Sequence, residues 1–89
     1  MVRKEKVNRI IDGDTFMTNS RKRPIRLNRV DTPEKKEAGF IKAKQALNKL
    51  IGKKEVTIDT VARDVYNRAV ANVKVDGKSV NKAMKKFEK

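Results

Sequence analysis

The sequence contains no cysteine, no histidine and no tryptophan. Disulfides, zinc sites of the usual Cys and His kind, and an imidazole base are therefore excluded. Aromatic residues are scarce, with three Phe and one Tyr, so few rings are available to stack on nucleobases. No apolar run approaches the roughly 20 residues that a membrane helix needs, and the opening MVRKEKVNRI lacks the apolar stretch of a signal peptide. The sequence as given thus predicts a cytoplasmic chain with no membrane association, or a secreted one if a signal peptide has been removed. Acidic residues are also few: 11 against 24 Lys and Arg, for a formal net charge of +13. That sign points to polyanions, nucleic acid first and an anionic membrane surface second. Any chemistry must rest on carboxylates, Lys, Arg, hydroxyls or a bound hard cation.

The 89 residues suffice for one small domain spanning 1–89, with no repeat, linker or low-complexity tract to divide it. A monomer is expected. Residues 5–11 (EKVNRII) read as a strand ending at the turn formers Asp12 and Gly13. Residues 14–19 (DTFMTN) read as a second strand, followed by a basic hairpin loop, NSRKRP. In PIRLNRV, Ile25 and Leu27 alternate with Arg26 and Asn28, so a third strand should turn Arg26 away from its apolar face. The period then lengthens: Phe40, Ala43, Leu47 and Leu50 mark a helix over 37–51 with Gly52 at its C-cap. Residues 54–60 and 68–75 return to strand periodicity. After the Asp76, Gly77 turn, Ser79 is placed to cap a closing helix whose Val80, Ala83, Met84 and Phe87 share a face. The order βββαββα is that of an OB-fold: mainly β with α, a five-stranded Greek-key barrel with a helix between strands 3 and 4 and a short C-terminal helix.

Three segments carry a family resemblance: IDGDT at 11–15, IRLNRVDTPE at 25–34 and DVYNRAVANVKVDGKSVNKAM at 64–84. In this order they resemble the signature segments of the staphylococcal nuclease, or thermonuclease, family, over residues 7–84. The resemblance implies a Ca²⁺-dependent nuclease that hydrolyses DNA and RNA with low sequence specificity, leaving 3′-phosphate and 5′-hydroxyl ends. It implies Ca²⁺ held by Asp14, Asp31 and the carbonyl of Thr32, with Glu34 as the base that activates water. Arg26 and Arg68 would contact the phosphate, and Tyr66 would bind substrate. The chemistry suits those types. Phosphodiester hydrolysis develops negative charge, which a hard cation and planar guanidinium groups stabilise. Carboxylate oxygens are the ligands Ca²⁺ prefers. With no His present, a carboxylate is the most economical base. Pro33 should hold Asp31 and Glu34 apart across a stiff turn.

Plainer readings stand beside these. Asp12 is ordinary Asx-turn chemistry before Gly. The DGD string opens like an EF-hand loop, but the further ligand spacing and the closing Glu are missing. Asp14, Asp31 and Glu34 could form surface ion pairs, and Arg26 and Arg68 could be two cations among many. Tyr66 fits a phosphate or base contact and a half-buried core position equally. Lys82, Lys85 and Lys86 read as the wet face of the last helix. Asn67 stands where the family usually has Gly, a position suited to positive φ, which Asn tolerates. The stretch from Glu34 to the helix is short, and the sequence ends at Lys89 where better-known members continue into further helices, so a short or truncated member is expected. Two further functions compete. A noncatalytic OB-fold module would grip nucleic acid by charge alone, and attachment to an acidic membrane through the Lys-rich termini would explain the charge but none of the motifs.

Overall fold

In a computed structural model that describes residues 2–88, the first strand does most to shape the barrel. β1 (Val2–Asp12) turns Glu5, Val7 and Ile10 inward, a pattern that breaks strict alternation. Its pairing with β2 (Thr15–Thr18) explains the break, because the register shifts between Val7 and Arg9. The extra residue is a β-bulge: it bends the strand and returns Ile10 to the core side. One half of β1 pairs with β2, and its first residues, Val2 to Lys6, pair with β4 (Glu55–Arg63).

The remaining strands close the sheet. β3 (Ile25–Leu27) pairs antiparallel with β2 and parallel with β5 (Ala69–Val75), which itself pairs antiparallel with β4. The five strands form a closed barrel, as expected of the OB-fold. Inward-facing Phe16, Ile25, Leu27, Val56, Ile58, Ala71 and Val73 fill it, with Leu47 and Ile51 of the helix and Val80 and Met84 of the C-terminal segment. A sixth strand, absent from the sequence reading, is the two-residue β6 (Lys78–Ser79). It folds back on β5 through Asp76 and Gly77, both at positive φ, as a tight two-residue hairpin requires.

Helix α1 runs over Phe40–Ile51 and buries Ala43, Leu47 and Ile51. It begins three residues later than the apolar spacing suggested. Gly39, at φ 87, is the N-cap and Lys36 also has positive φ, so residues 36–39 cannot continue a right-handed helix. Gly52 does sit at the C-cap, although in an unusual way. Its φ is negative, Lys53 takes the left-handed conformation, and a Cβ on Gly52 would lie 2.4 Å from the Asn48 carbonyl oxygen. Ser79 caps α2 (Val80–Met84) by accepting from the Lys82 N–H at 3.1 Å, and a 3₁₀ turn, Lys85–Phe87, follows.

Two buried polar groups hold this frame. Asn81 lies where the barrel wall has a gap: along one edge of β5, β3 covers Ala69 to Ala71 and β6 begins only at Lys74. The Asn81 carboxamide accepts from the Val73 N–H at 2.8 Å and donates to the carbonyls of Ala71 and Asn28, each at 3.0 Å. Glu5 is the other. Its carboxylate accepts from the Thr18 hydroxyl at 2.7 Å and from Arg21 at 2.9–3.0 Å. Burial alone would push its pKa up, yet the hydrogen bonds from Arg21 and Thr18 and the charge of Arg21 and Arg3 hold it below the ordinary value.

Asn81→Ala should lower stability by about 2–3 kcal/mol, since it strands a buried N–H, and urea unfolding checks this. Glu5→Gln should cost about 1–3 kcal/mol near neutral pH. Because the folded-state pKa of Glu5 is depressed, its stabilisation is present above the unfolded value and lost as pH falls through the folded one. The wild-type advantage over Glu5→Gln should therefore shrink in unfolding curves taken below about pH 4.

Candidate active site

The turn between β1 and β2 sets the first acidic group. Asp12 forms an Asx turn, its Oδ1 accepting from the Asp14 N–H at 3.1 Å. Gly13 is required here for space: a Cβ would lie 2.6 Å from the Ala43 Cβ of α1 and 2.7 Å from Thr32 Oγ1. This close contact of turn, helix and loop buries Asp14 to 6% exposure. Asp14 Oδ1 accepts from the Thr15 hydroxyl at 2.9 Å, and Oδ2 accepts from the Thr32 N–H at 3.2 Å. Burial first, and then the neighbouring Asp12 carboxyl, raise the Asp14 pKa to about 6; the Thr15 and Thr32 hydrogen bonds oppose the shift.

Arg26 is the middle residue of β3, flanked by the buried Ile25 and Leu27, and it points outward as its alternation required. Its Nη2 lies 3.6 Å from Asp14 Oδ2 and 3.8 Å from Asp31 Oδ1. Two carboxylates from separate segments thus converge on one guanidinium nitrogen. The Asp31 side chain is mostly exposed, and its backbone N–H is held at 3.1 Å by Glu88 Oε2 from the C-terminal end. Lys85 adds a second tie from that end, donating to the Arg29 carbonyl at 2.9 Å. Thr32 is buried, and its hydroxyl has no hydrogen-bond partner among the described residues. Glu34 is exposed and belongs to a local turn: its N–H donates to Glu37 Oε1 at 2.6 Å, and the Glu37 N–H donates to the Glu34 carbonyl at 2.9 Å. Asp14, Arg26, Asp31 and Thr32 are therefore joined, while no hydrogen bond or ion pair among the described residues links Glu34 to them.

Arg68 precedes β5. Parallel pairing places Arg26 opposite Val70, so Arg68, two residues earlier, falls on the same outward face by alternation. Asp64 fixes it: Oδ1 accepts from the N–H groups of Tyr66 and Arg68 at 3.0 and 2.9 Å, and Oδ2 from Arg68 Nε at 2.7 Å. Only Nε is engaged with Asp64, so the two terminal nitrogens of the fork point elsewhere. Asn67 has φ 63, a left-handed conformation that Asn tolerates better than most residues. Tyr66 is 75% exposed, which removes the half-buried core reading; its ring lies 5.3 Å from the Arg68 guanidinium carbon.

Two supporting residues escaped the sequence reading. Asp64 had a signal, since an Asp opening a DxxN turn commonly accepts from the backbone that follows it. Glu88 had none, because its contact with Asp31 bridges 57 positions. Among the described residues no three or more acidic side chains cluster as a ready metal cage. Oxygen donors near Arg26 include Asp14 and Asp31, with the Asp12 carboxyl beside Asp14 and Thr32 joined to Asp14 through its N–H.

Comparison with known proteins identifies the family. A family described as staphylococcal nuclease homologue matches residues 24–87. The chain is 39% identical over 72 residues to protein ParB of Escherichia coli, covering 79% of this chain and 41% of that one. It is 38% identical over 82 residues to an uncharacterized endonuclease of Escherichia coli O157:H7, covering 89% and 54%. It is 34% identical over 84 residues to an uncharacterized endonuclease of Haemophilus influenzae, covering 91% and 47%. The chain spans about half the length of the curated relatives it matches. The matched residues contain Arg26, Asp31, Thr32, Glu34, Tyr66 and Arg68, and the chain belongs to the staphylococcal nuclease homologue family.

Proposed function

We propose that this chain is a Ca²⁺-dependent nuclease that hydrolyses DNA and RNA with little sequence preference, giving 3′-phosphate and 5′-hydroxyl ends. The observation that carries the reading is the convergence of Asp14 and Asp31 on one nitrogen of Arg26. Two carboxylates against one guanidinium leave an excess negative charge among hard oxygen donors, which suits a divalent cation of the Ca²⁺ class. Asp14, Asp31 and the Thr32 carbonyl would hold it. The buried, unpartnered Thr32 hydroxyl marks a place where polar contacts are incomplete. When bound, the ion supplies Lewis-acid polarisation of the phosphoryl group.

The other steps belong to the chain. Arg26 holds one phosphate oxygen from the outward face of β3, and the free end of the Arg68 fork takes a second. These donors are in place before reaction, so they stabilise the charge that grows on the equatorial oxygens. Glu34 accepts the proton of the attacking water, and its exposed place on the Pro33 turn leaves it room to approach. Tyr66 offers a ring face beside the phosphate for an adjoining base. That the Glu34 carboxylate stands outside the hydrogen-bonded cluster also favours a second reading, the noncatalytic nucleic-acid-binding OB-fold module.

Cleavage of single- and double-stranded DNA and RNA, with Ca²⁺ and with chelator, separates the two. Glu34→Ala and Arg68→Ala should each lower kcat by about 10²–10³-fold relative to wild type with Ca²⁺. If wild type cuts no faster than these variants, the binding module is the correct description.

The raised pKa of Asp14 yields a further expectation. A ligand must be ionised to hold a cation, so Ca²⁺ affinity should rise as pH passes upward through about 6, with proton release measurable by calorimetry. The sign for stability is opposite to that of Glu5. A carboxylate whose folded pKa is raised destabilises the fold above that pKa, so Asp14→Asn should stabilise the Ca²⁺-free protein by about 1–2 kcal/mol near pH 7. This gain should vanish below about pH 4, while cleavage is lost at every pH.

A further inference from the structure

On the side of the barrel reached through the β2 to β3 loop lies a hollow of about 490 Å³ whose lining includes Arg3, Arg21, Lys22, Arg23, Arg63 and Asn67. Among the described residues, no acidic side chain lines it. The hollow gathers cations from distant parts of the chain: β1, the basic hairpin loop, the end of β4 and the turn before β5. Cations drawn from separate segments into one hollow make a site of positive potential that favours an anion.

Its construction is specific. Arg21 is engaged with the buried Glu5, and that pair, with the Thr18 hydrogen bond, pins the hairpin loop to the barrel floor. Lys22 and Arg23 are left exposed on a fixed loop. Arg63 donates to the Asn67 carbonyl at 3.2 Å, tying the opposite wall to the turn that carries Arg68. The hollow therefore adjoins both phosphate-facing arginines along the chain: Asn67 precedes Arg68, and Arg23 stands three residues before Arg26. Three residues reach at most about 10 Å, roughly one to two phosphate spacings of an extended single strand. Val65 and Tyr66, in the same turn as Asn67, are 92% and 75% exposed and offer apolar surfaces that unpaired bases can meet.

We infer that this hollow is a second phosphate-binding site, which holds the backbone of a single-stranded nucleic acid one or two nucleotides away from the bond at Arg26 and Arg68. The inference rests on the nucleic-acid reading of the site above, but it is separable from cleavage, since binding here uses no cation and no base. It predicts a protein that discriminates by length: a polynucleotide engages both places, and a dinucleotide only the first.

The test uses the double variant Lys22→Gln/Arg23→Gln with Lys49→Gln/Lys54→Gln as a control of equal charge change. Binding of a labelled 30-nucleotide single strand is followed by fluorescence anisotropy in chelator across a salt series. The hollow variant should flatten the slope of log K against log salt by about 1.4, the value for two lost contacts to single strands, and the control should change it far less. With Ca²⁺, KM for the polynucleotide should rise on the order of tenfold, with dinucleotide cleavage unchanged. An unaltered salt slope, an equal effect of the control, or an equal loss on the dinucleotide would overturn the inference. So would a variant that keeps its nucleic-acid affinity but loses binding to anionic phospholipid vesicles, since a membrane would then be the occupant. If wild type cuts nothing while the binding arm responds as expected, the nuclease reading fails and the hollow stands.

Discussion

The wall of this barrel is completed by a side chain. Between the end of β3 and the start of β6, the edge of β5 away from β4 has no strand beside it, and the Asn81 carboxamide takes both roles that a neighbouring strand would have played there. The same amide reaches the Asn28 carbonyl, which lies between Arg26 and Asp31 in the chain. The C-terminal segment is thereby fastened to the strand that carries the site, and Lys85 and Glu88 extend the fastening to Arg29 and Asp31. An amide suits this place because it both donates and accepts without bringing a charge into the interior. Positions of the outward-facing groups follow from that seam. With it in place, β3 and β5 lie parallel, and the faces that bear Arg26 and Arg68 coincide.

The candidate site departs from what stability alone would favour. Asp14 is buried with Asp12 close by, and its ion pair among the described residues, with Arg26, is shared with Asp31 and stands beyond hydrogen-bond reach. A carboxylate kept from water without a close cation is costly even when neutral donors reach it, and such groups concentrate where chemistry needs them. Glu5 makes the contrast plain. It is equally buried, but Arg21 and Thr18 satisfy it, and its effect is to hold a loop. The two acids differ in partner and not in depth, which is why one reads as scaffold and the other as part of a site.

Much of the fold was legible because alternation survives wherever one strand face is buried. Ile25 and Leu27, Val56 and Ile58, and the run from Ala69 to Val75 appear in the sequence as they do in the barrel. Turn chemistry was legible too: Asp12 makes its Asx turn, Ser79 caps its helix, and Asn67 takes positive φ. The start of α1 was not, since Lys35 to Ala38 carry good helix formers and only the backbone at Lys36 and Gly39 excludes them. β6 was too short to show a period. Glu5 and Asn81 look like surface residues in one dimension, because their partners are Arg21 and Thr18, and Asn28, Ala71 and Val73. The residues named for the site were found by motif, and their convergence depends on strand pairing that no local pattern reports.

The parallel pairing of β3 with β5 has a consequence for the order in which a ribosome makes this chain. Residues 25–27 emerge well before 69–71, and Asn81 comes later still. Until Asn81 is made, the growing chain already carries most of the Lys and Arg of this sequence but lacks the seam that fastens β3 and β5. The basic character of the chain therefore precedes the face on which Arg26 and Arg68 stand, and the segment around Asn81 completes that face.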